Sequence, residues 1–209
     1  ISACLVGSEM CIRDRVVGAA GELFAFRRNL FVPINPAAIT DDFYLSLAIN
    51  LQGTRIVYAP KAVGREDASP SLTAEWKRKV RIAAGGFQSI QLQPAALNLF
   101  RYPVLAFQFF SHRVLRWVAC PPALLLLLVS NTAMLWNGAS LFYQLTWVLQ
   151  LLFYSLAAVS ALLPVLLRNN PLFTAPFYFV MMHAAMLAGA YRFISGKQSV
   201  LWEKVRRSR

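Results

Sequence analysis

Hydrophobic and polar positions change their spacing about halfway along the chain. Over residues 16–93 apolar side chains are interleaved with polar ones; further on they run together in long stretches. Val16–Phe31 predicts a strand passing into a turn or short helix. Val16, Val17, Leu23, Phe24 and Phe26 are its apolar positions, Gly18 and Gly21 interrupt them, and Arg27 and Arg28 close the segment. Pro33 and Pro36 mark a loop. Thr40 is placed to cap a helix with Asp41 and Asp42 in its first turn, where carboxylates complement the helix dipole. That helix uses Phe43, Leu47, Ile49 and Leu51 and stops at Gly53. Arg55–Ala59 predicts a short strand ended by Pro60, and Ala68–Ser71 a loop. From Thr73 to about Gln91 the spacing predicts an amphipathic helix. Trp76, Val80, Ala83, Phe87 and Ile90 lie on one side, with Lys77, Arg78 and Arg81 nearer the other.

The second half holds three apolar runs, about Trp117–Trp136, Leu141–Leu167 and Leu172–Ile194. Each meets the roughly 20 residues needed to cross a hydrocarbon core. Leu97–Phe110 is apolar but short and contains Arg101 and Pro103, so it reads as an interfacial helix. The expected organisation is a mixed α/β segment over 16–93, an interfacial segment over 94–116, transmembrane helices over 117–196 and a basic tail over 197–209. Residues 1–15 show no period and no secretory layout. They resemble a translated adapter read-through, and we set them aside as non-native. Residues 16–93 are too few for a whole doubly wound domain, so the chain is expected to be the C-terminal part of a longer protein.

Composition sharpens this picture. Of the residues, 57% are hydrophobic and 14% charged, with a mean hydropathy of +0.49. Soluble domains average about 45–50% apolar and about 25% charged, so disordered chains, collagen-like fibres and ordinary soluble enzymes are excluded. The net charge of +12 is unevenly placed. Residues 1–93 carry 11 basic and eight acidic side chains; residues 94–209 carry ten basic and one acidic, Glu203. Between Trp117 and Tyr191 the only Lys, Arg, Asp or Glu is Arg168. Arg101, Arg113 and Arg116 place the start of the first span in the cytoplasm. A third full span would then put the basic tail outside, against the positive-inside rule.

Two clusters could carry chemistry. Asp41-Asp42 opens a helix after a loop, where a carboxylate can deprotonate a hydroxyl or simply complement the helix N-terminus. Lys77-Arg78-Lys79-Val80-Arg81 puts four cations in the first turns of a helix, against its dipole. A diphosphate or an anionic lipid surface would neutralise them. Nucleic acid does not fit, because no aromatic residues interleave the cluster. Cys4, Cys11 and Cys120 match no zinc or haem spacing, and His112 and His183 stand alone without metal-ligand spacing.

The order of motifs adds a resemblance. Gly-Glu-Leu-Phe-Ala-Phe-Arg-Arg (21–28), Thr-Asp-Asp (40–42), Gly-Thr-Arg-Ile-Val-Tyr-Ala-Pro-Lys-Ala (53–62) and Trp-Lys-Arg-Lys-Val-Arg-Ile-Ala-Ala-Gly-Gly (76–86) precede the spans. Together they resemble the C-terminal part of a membrane-bound family 2 glycosyltransferase, whose relatives include cellulose, hyaluronan and poly-N-acetylglucosamine synthases. Ser-His-Arg-Val-Leu-Arg-Trp (111–117) and Gly-Lys-Gln-Ser-Val-Leu-Trp-Glu-Lys (196–204) are similar to segments of bacterial members. The resemblance implies the end of a GT-A-type domain followed by about three transmembrane helices, in a bacterial inner membrane with the catalytic part cytoplasmic. Thr40-Asp41-Asp42 is similar to the family's Thr-Glu-Asp, which makes Asp42 the base and Asp41 its neighbour. Arg78-Lys79-Val80-Arg81-Ile82 lies where many synthases have Gln-Arg-x-Arg-Trp. Lys79 and Arg81, with Arg78 beside them, would then neutralise the leaving diphosphate. Arg78 and Ile82 replace the family's Gln and Trp, and that Trp stacks on the growing polymer. Gly21 and Glu22 fall on the acceptor-side loop.

The implied reaction is an inverting transfer from a UDP-sugar to a glycan or lipid acceptor. The implied cofactor is Mg²⁺ or Mn²⁺, with ligands in the donor-binding half that precedes these residues, so the fragment alone is expected to be inactive. The other class the apolar runs allow is a non-catalytic membrane protein, a transporter subunit or an anchor. It predicts functional polar groups within the spans.

Overall fold

The structure is a computed structural model that describes residues 3–5, 17–18, 24–59, 71–136, 138, 140–163 and 170–199. It is mostly helical and divides into two units, Ile1–Arg116 with Gly189–Arg209, and Trp117–Ala188.

The first unit holds a small sheet of three strands, β1 (Ala3–Leu5), β2 (Phe24–Phe26) and β3 (Ile56–Tyr58), in the order β2-β1-β3. β1 pairs antiparallel with β2, Ala3 opposite Phe26, and parallel with β3, Ala3 opposite Ile56. Its middle strand thus comes from residues 1–15, which we set aside above. Of the strand and turn expected over Val16–Phe31, the described residues form β2 and a 3₁₀ turn at Arg28–Leu30; residues 16 and 19–23 lie outside the described residues.

Helix α1 (Asp41–Leu51) forms where the sequence expects it. Asp41 and Asp42 occupy its first turn. At the other end Gly53 adopts φ +78°, and the Gly53 N–H donates to Asn50 O at 3.0 Å. Only glycine enters that left-handed region without a Cβ penalty. Leu45 and Ile49 of α1 join Leu30 and Ile56 in a buried cluster, with Phe24, Phe26 and Ile34 packed against it. α1 is therefore anchored to the sheet, and its N-terminus is held in a fixed place. Helix α2 (Leu72–Leu92) starts one residue before expectation, because Ser71 caps it by accepting from the Ala74 N–H at 3.1 Å. Val80, Ala83 and Ala84 are buried along its length. Small residues there permit close approach: a Cβ on Gly189 would lie 2.5 Å from Ala83 Cβ and 2.8 Å from Val80 O.

Of the helix expected over Leu97–Phe110, the part from Pro103 forms as α3 (Pro103–Phe109), which runs on into a π-helical turn (Phe110–Val114) and α4 (Leu115–Val118); a 3₁₀ turn (Pro94–Leu97) comes before it. Pro94 and Pro103 each stand at the start of a short element, where the missing N–H costs nothing.

In the second unit α5 (Cys120–Trp136) and α6 (Leu141–Leu162) form a hairpin. Pro121 and Pro122 explain why α5 starts at Cys120 and not at Trp117: their rings clash with the carbonyls four residues back. α6 ends before Leu167, because Leu163 precedes Pro164 and has left the helical region at φ −121°, ψ 54°. Asn131 is buried and its Nδ2 donates to Thr146 Oγ1 at 3.2 Å and Gln150 Oε1 at 3.0 Å. The Trp147 Nε1–H donates to Thr132 Oγ1 at 3.1 Å. Helix α7 (Pro171–Ile194) follows. Among the described residues α6 and α7 are long and apolar enough to cross a membrane, with mean hydropathies of 1.7 and 1.4. A third span is available if the chain from Pro103 to Trp136, broken at Ala119, counts as one.

Candidate active site

The segment Phe31–Thr40 forms neither helix nor strand, and it leads directly into the Asp41-Asp42 pair. Its backbone polar groups need partners from elsewhere. α2 supplies them. Gln88 Oε1 accepts from the Ile39 N–H at 2.8 Å, and Gln88 Nε2 donates to Ala37 O at 2.8 Å. Arg81 Nη2 donates to Ile39 O at 3.0 Å. Just past the end of α2, Gln93 Nε2 donates to Tyr44 O of α1 at 3.0 Å.

The two carboxylates sit at the mouth of α1. Asp41 is exposed, and its Oδ1 accepts from the Asp42 N–H at 3.1 Å. Asp42 is half-buried, and its Oδ1 accepts from the Phe43 N–H at 2.8 Å. The otherwise unpaired amides of the first turn thus go to the acids themselves. Thr40 does not cap α1 with its side chain, contrary to expectation. That side chain packs over Gly85 of α2, and its Oγ1 is buried with no hydrogen-bond partner among the described residues. Helix contact has displaced the local cap.

Arg81 meets the acidic segment from α2. Burial lowers the affinity of its guanidinium for the proton, and the charge of Asp41 acts in the opposite sense. Lys79 faces differently: its Nζ pairs with Glu75 at 3.4 Å, one helical turn earlier. Two residues along a helix turn the direction by about 200°, so Lys79 and Arg81 project from nearly opposite sides. Arg78, three residues before Arg81, lies on a neighbouring line and is half-buried; Lys77 is exposed. The structure therefore brings Arg81 to the Asp41-Asp42 segment and gives Lys79 a partner on its own helix. Gly21 and Glu22 lie outside the described residues.

Sequence reasoning missed Glu75, Gln88 and Gln93. The signal available for Gln88 is the spacing Arg81, Gly85, Gln88, which is one stripe of a helix. On β2 and the turn after it, the Phe24 and Phe26 rings stack at 5.6 Å and those of Phe26 and Phe31 at 6.4 Å. Phe26, Arg28 and Phe31 line an open depression of about 560 Å³.

An acidic pair at a helix mouth is thus met by an arginine from a second helix, and apolar helices follow in the chain. A family model described as glycosyl transferase family group 2 matches residues 2–193, and the chain belongs to that family. Members transfer a glycosyl group and so bind a sugar donor and an acceptor. No curated protein and no solved structure matches the chain.

Proposed function

We propose that this chain carries the catalytic base and part of the leaving-group site of an inverting, membrane-embedded glycosyltransferase. The observation that carries the reading is the meeting of Arg81 with the segment that bears Asp41 and Asp42. Asp42 takes the proton from an acceptor hydroxyl as that oxygen attacks the anomeric carbon of a UDP-sugar. The new glycosidic bond forms on the face opposite the leaving group. The old bond between the anomeric carbon and the diphosphate oxygen breaks, and UDP departs with the electron pair. Arg81 faces the developing negative charge, Arg78 adds to it from the same side, and Lys79 contributes through its longer-range field.

Mg²⁺ or Mn²⁺ is implied by the resemblance. Among the described residues no three His, Cys, Asp or Glu side chains come together.

The acceptor is a glycan or a lipid, and the motif order supports a synthase-like member acting on the cytoplasmic side of a bacterial inner membrane. Leu99, Phe100, Phe107 and Phe110 are exposed apolar side chains between α2 and the spans. Lipid contact there would hold the site at the bilayer surface. Replacing Asp42 with Asn in the full-length membrane protein tests the base. Loss of a general base costs about 10²- to 10⁴-fold. UDP release from UDP-glucose or UDP-N-acetylglucosamine should fall by that factor, with folding unchanged. Transfer at the wild-type rate would refute the assignment.

A further inference from the structure

Ile39 is held from α2 at both of its backbone polar groups. Its N–H donates to Gln88 Oε1, and its carbonyl accepts from Arg81 Nη2. Gln88 also reaches the Ala37 carbonyl, so one amide side chain engages two backbone groups two residues apart, as a neighbouring strand would. The Ile39 side chain is buried as well, at 6% exposure. Gly85 lies between Arg81 and Gln88 on the same stripe and lets the helix close on Thr40. Asp41 and Asp42 follow Thr40 directly, so this grip holds the approach to their backbone from one side while the packing of α1 on the sheet holds it from the other. Without Gln88 the Ile39 N–H would need another partner, and the segment would have to move to find water.

We propose that Gln88 is a positioning residue: its two-pronged grip on Ala37 and Ile39 holds the Asp41-Asp42 pair where Asp42 can reach the acceptor hydroxyl. This rests on the reading of Asp42 as the base. Proton transfer needs hydrogen-bond reach, and a displacement of about 1 Å can cost about 10²-fold in rate. Arg81 is tied to the carbonyl of Ile39, the residue whose N–H Gln88 holds, so Gln88 also bears on the distance between the base and the cation.

The test uses Gln88→Ala and Gln88→Glu in the full-length protein in membranes, with two readouts. The first is amide hydrogen exchange over residues 37–44 and over α2. In Gln88→Ala, exchange at Ile39 should rise about tenfold or more, while residues 80–87 keep their protection. The second is UDP release from UDP-glucose and UDP-N-acetylglucosamine. There kcat should fall about 10- to 100-fold, with KM for the donor within about threefold. Gln88→Glu keeps the acceptor for Ile39 and loses the donor for Ala37, so it should fall between the two. Its deficit should shrink as pH falls, because a protonated carboxyl regains an O–H donor, a trend that a packing role would not produce. Unchanged exchange at Ile39 would overturn the proposal, as would faster exchange with an unaltered kcat. A fall in kcat accompanied by lost protection throughout α2 would also overturn it. Asp42→Asn, measured alongside, separates the layers. Wild-type transfer in that variant refutes the base, whereas the exchange at Ile39 reports on the grip by itself.

Discussion

A methyl group at Gly85 would meet Thr40. The added Cβ would lie 2.6 Å from Thr40 Cγ2 and 2.8 Å from Oγ1. In an isolated helix, Gly→Ala gains about 1 kcal/mol. Here Thr40 is branched at Cβ and stiff, and overpacking of this kind costs about 1–3 kcal/mol. Gly85→Ala is therefore expected to lower thermal stability, and to shift the segment that leads into Asp41. A gain in stability would show that Thr40 turns aside freely. The acidic pair was legible in the sequence because helix N-termini have local chemistry, and Asp41 and Asp42 are where that chemistry puts them. Thr40 was misjudged for the complementary reason: its hydroxyl could cap α1, but contact with Gly85, 45 residues further along the chain, took precedence.

Helix α2 sorts its cations by direction. Arg81 points to the Ile39 carbonyl, and Lys79 pairs with Glu75, with side chains 30% and 17% exposed. An exposed i,i+4 pair contributes about 0.3–0.5 kcal/mol, and this half-buried one is expected nearer the upper end of the surface range, about 1 kcal/mol. Lys79→Gln is accordingly expected to lower stability by no more than about 1 kcal/mol and to leave transfer within about threefold. Arg81→Lys keeps a charge but loses the planar fork that can bond Ile39 and face an anion together. It should reduce transfer about 10- to 100-fold, measured as UDP release. Equal losses in the two variants would mean that the diphosphate meets both sides of the helix. The extent of α2 was readable from spacing to within a residue or two. The sequence reading put Lys79 and Arg81 together at the diphosphate; which of them lies toward the acidic segment was not legible in it.

The chain joins a site-bearing unit to helices that suit a bilayer. In the second unit, Leu125, Leu126, Leu127 and Val129 of α5 and Leu145, Val148, Leu149 and Leu152 of α6 are exposed apolar side chains. Such a surface is costly in water and ordinary in lipid. The protein is expected to stay in the membrane pellet after an alkaline carbonate wash and to be released only by detergent. Release by the wash would mean that the helices do not cross the bilayer. A transport role predicts polar groups in the spans that serve a substrate. Asn131, Thr146 and Gln150 instead bond to one another, in the manner of groups that join helices within a membrane.

The sequence alone established the apolar runs, the helix mouth at Asp41-Asp42, the stop at Gly53 and the membrane character of the second half. Each depends on neighbours within a few residues: a cap, a left-handed glycine, a hydrophobic period. The resemblance to family 2 glycosyltransferases agrees with the family model that matches residues 2–193. The joining of α2 to the acidic segment was a matter of folding. Arg81 to Ile39, Gln88 to Ile39 and Gln88 to Ala37 span 42, 49 and 51 residues of chain. No local pattern specifies which polar side chain of α2 satisfies which backbone group. That depends on how closely Gly85 lets the helix approach and on which groups burial leaves in need of a partner.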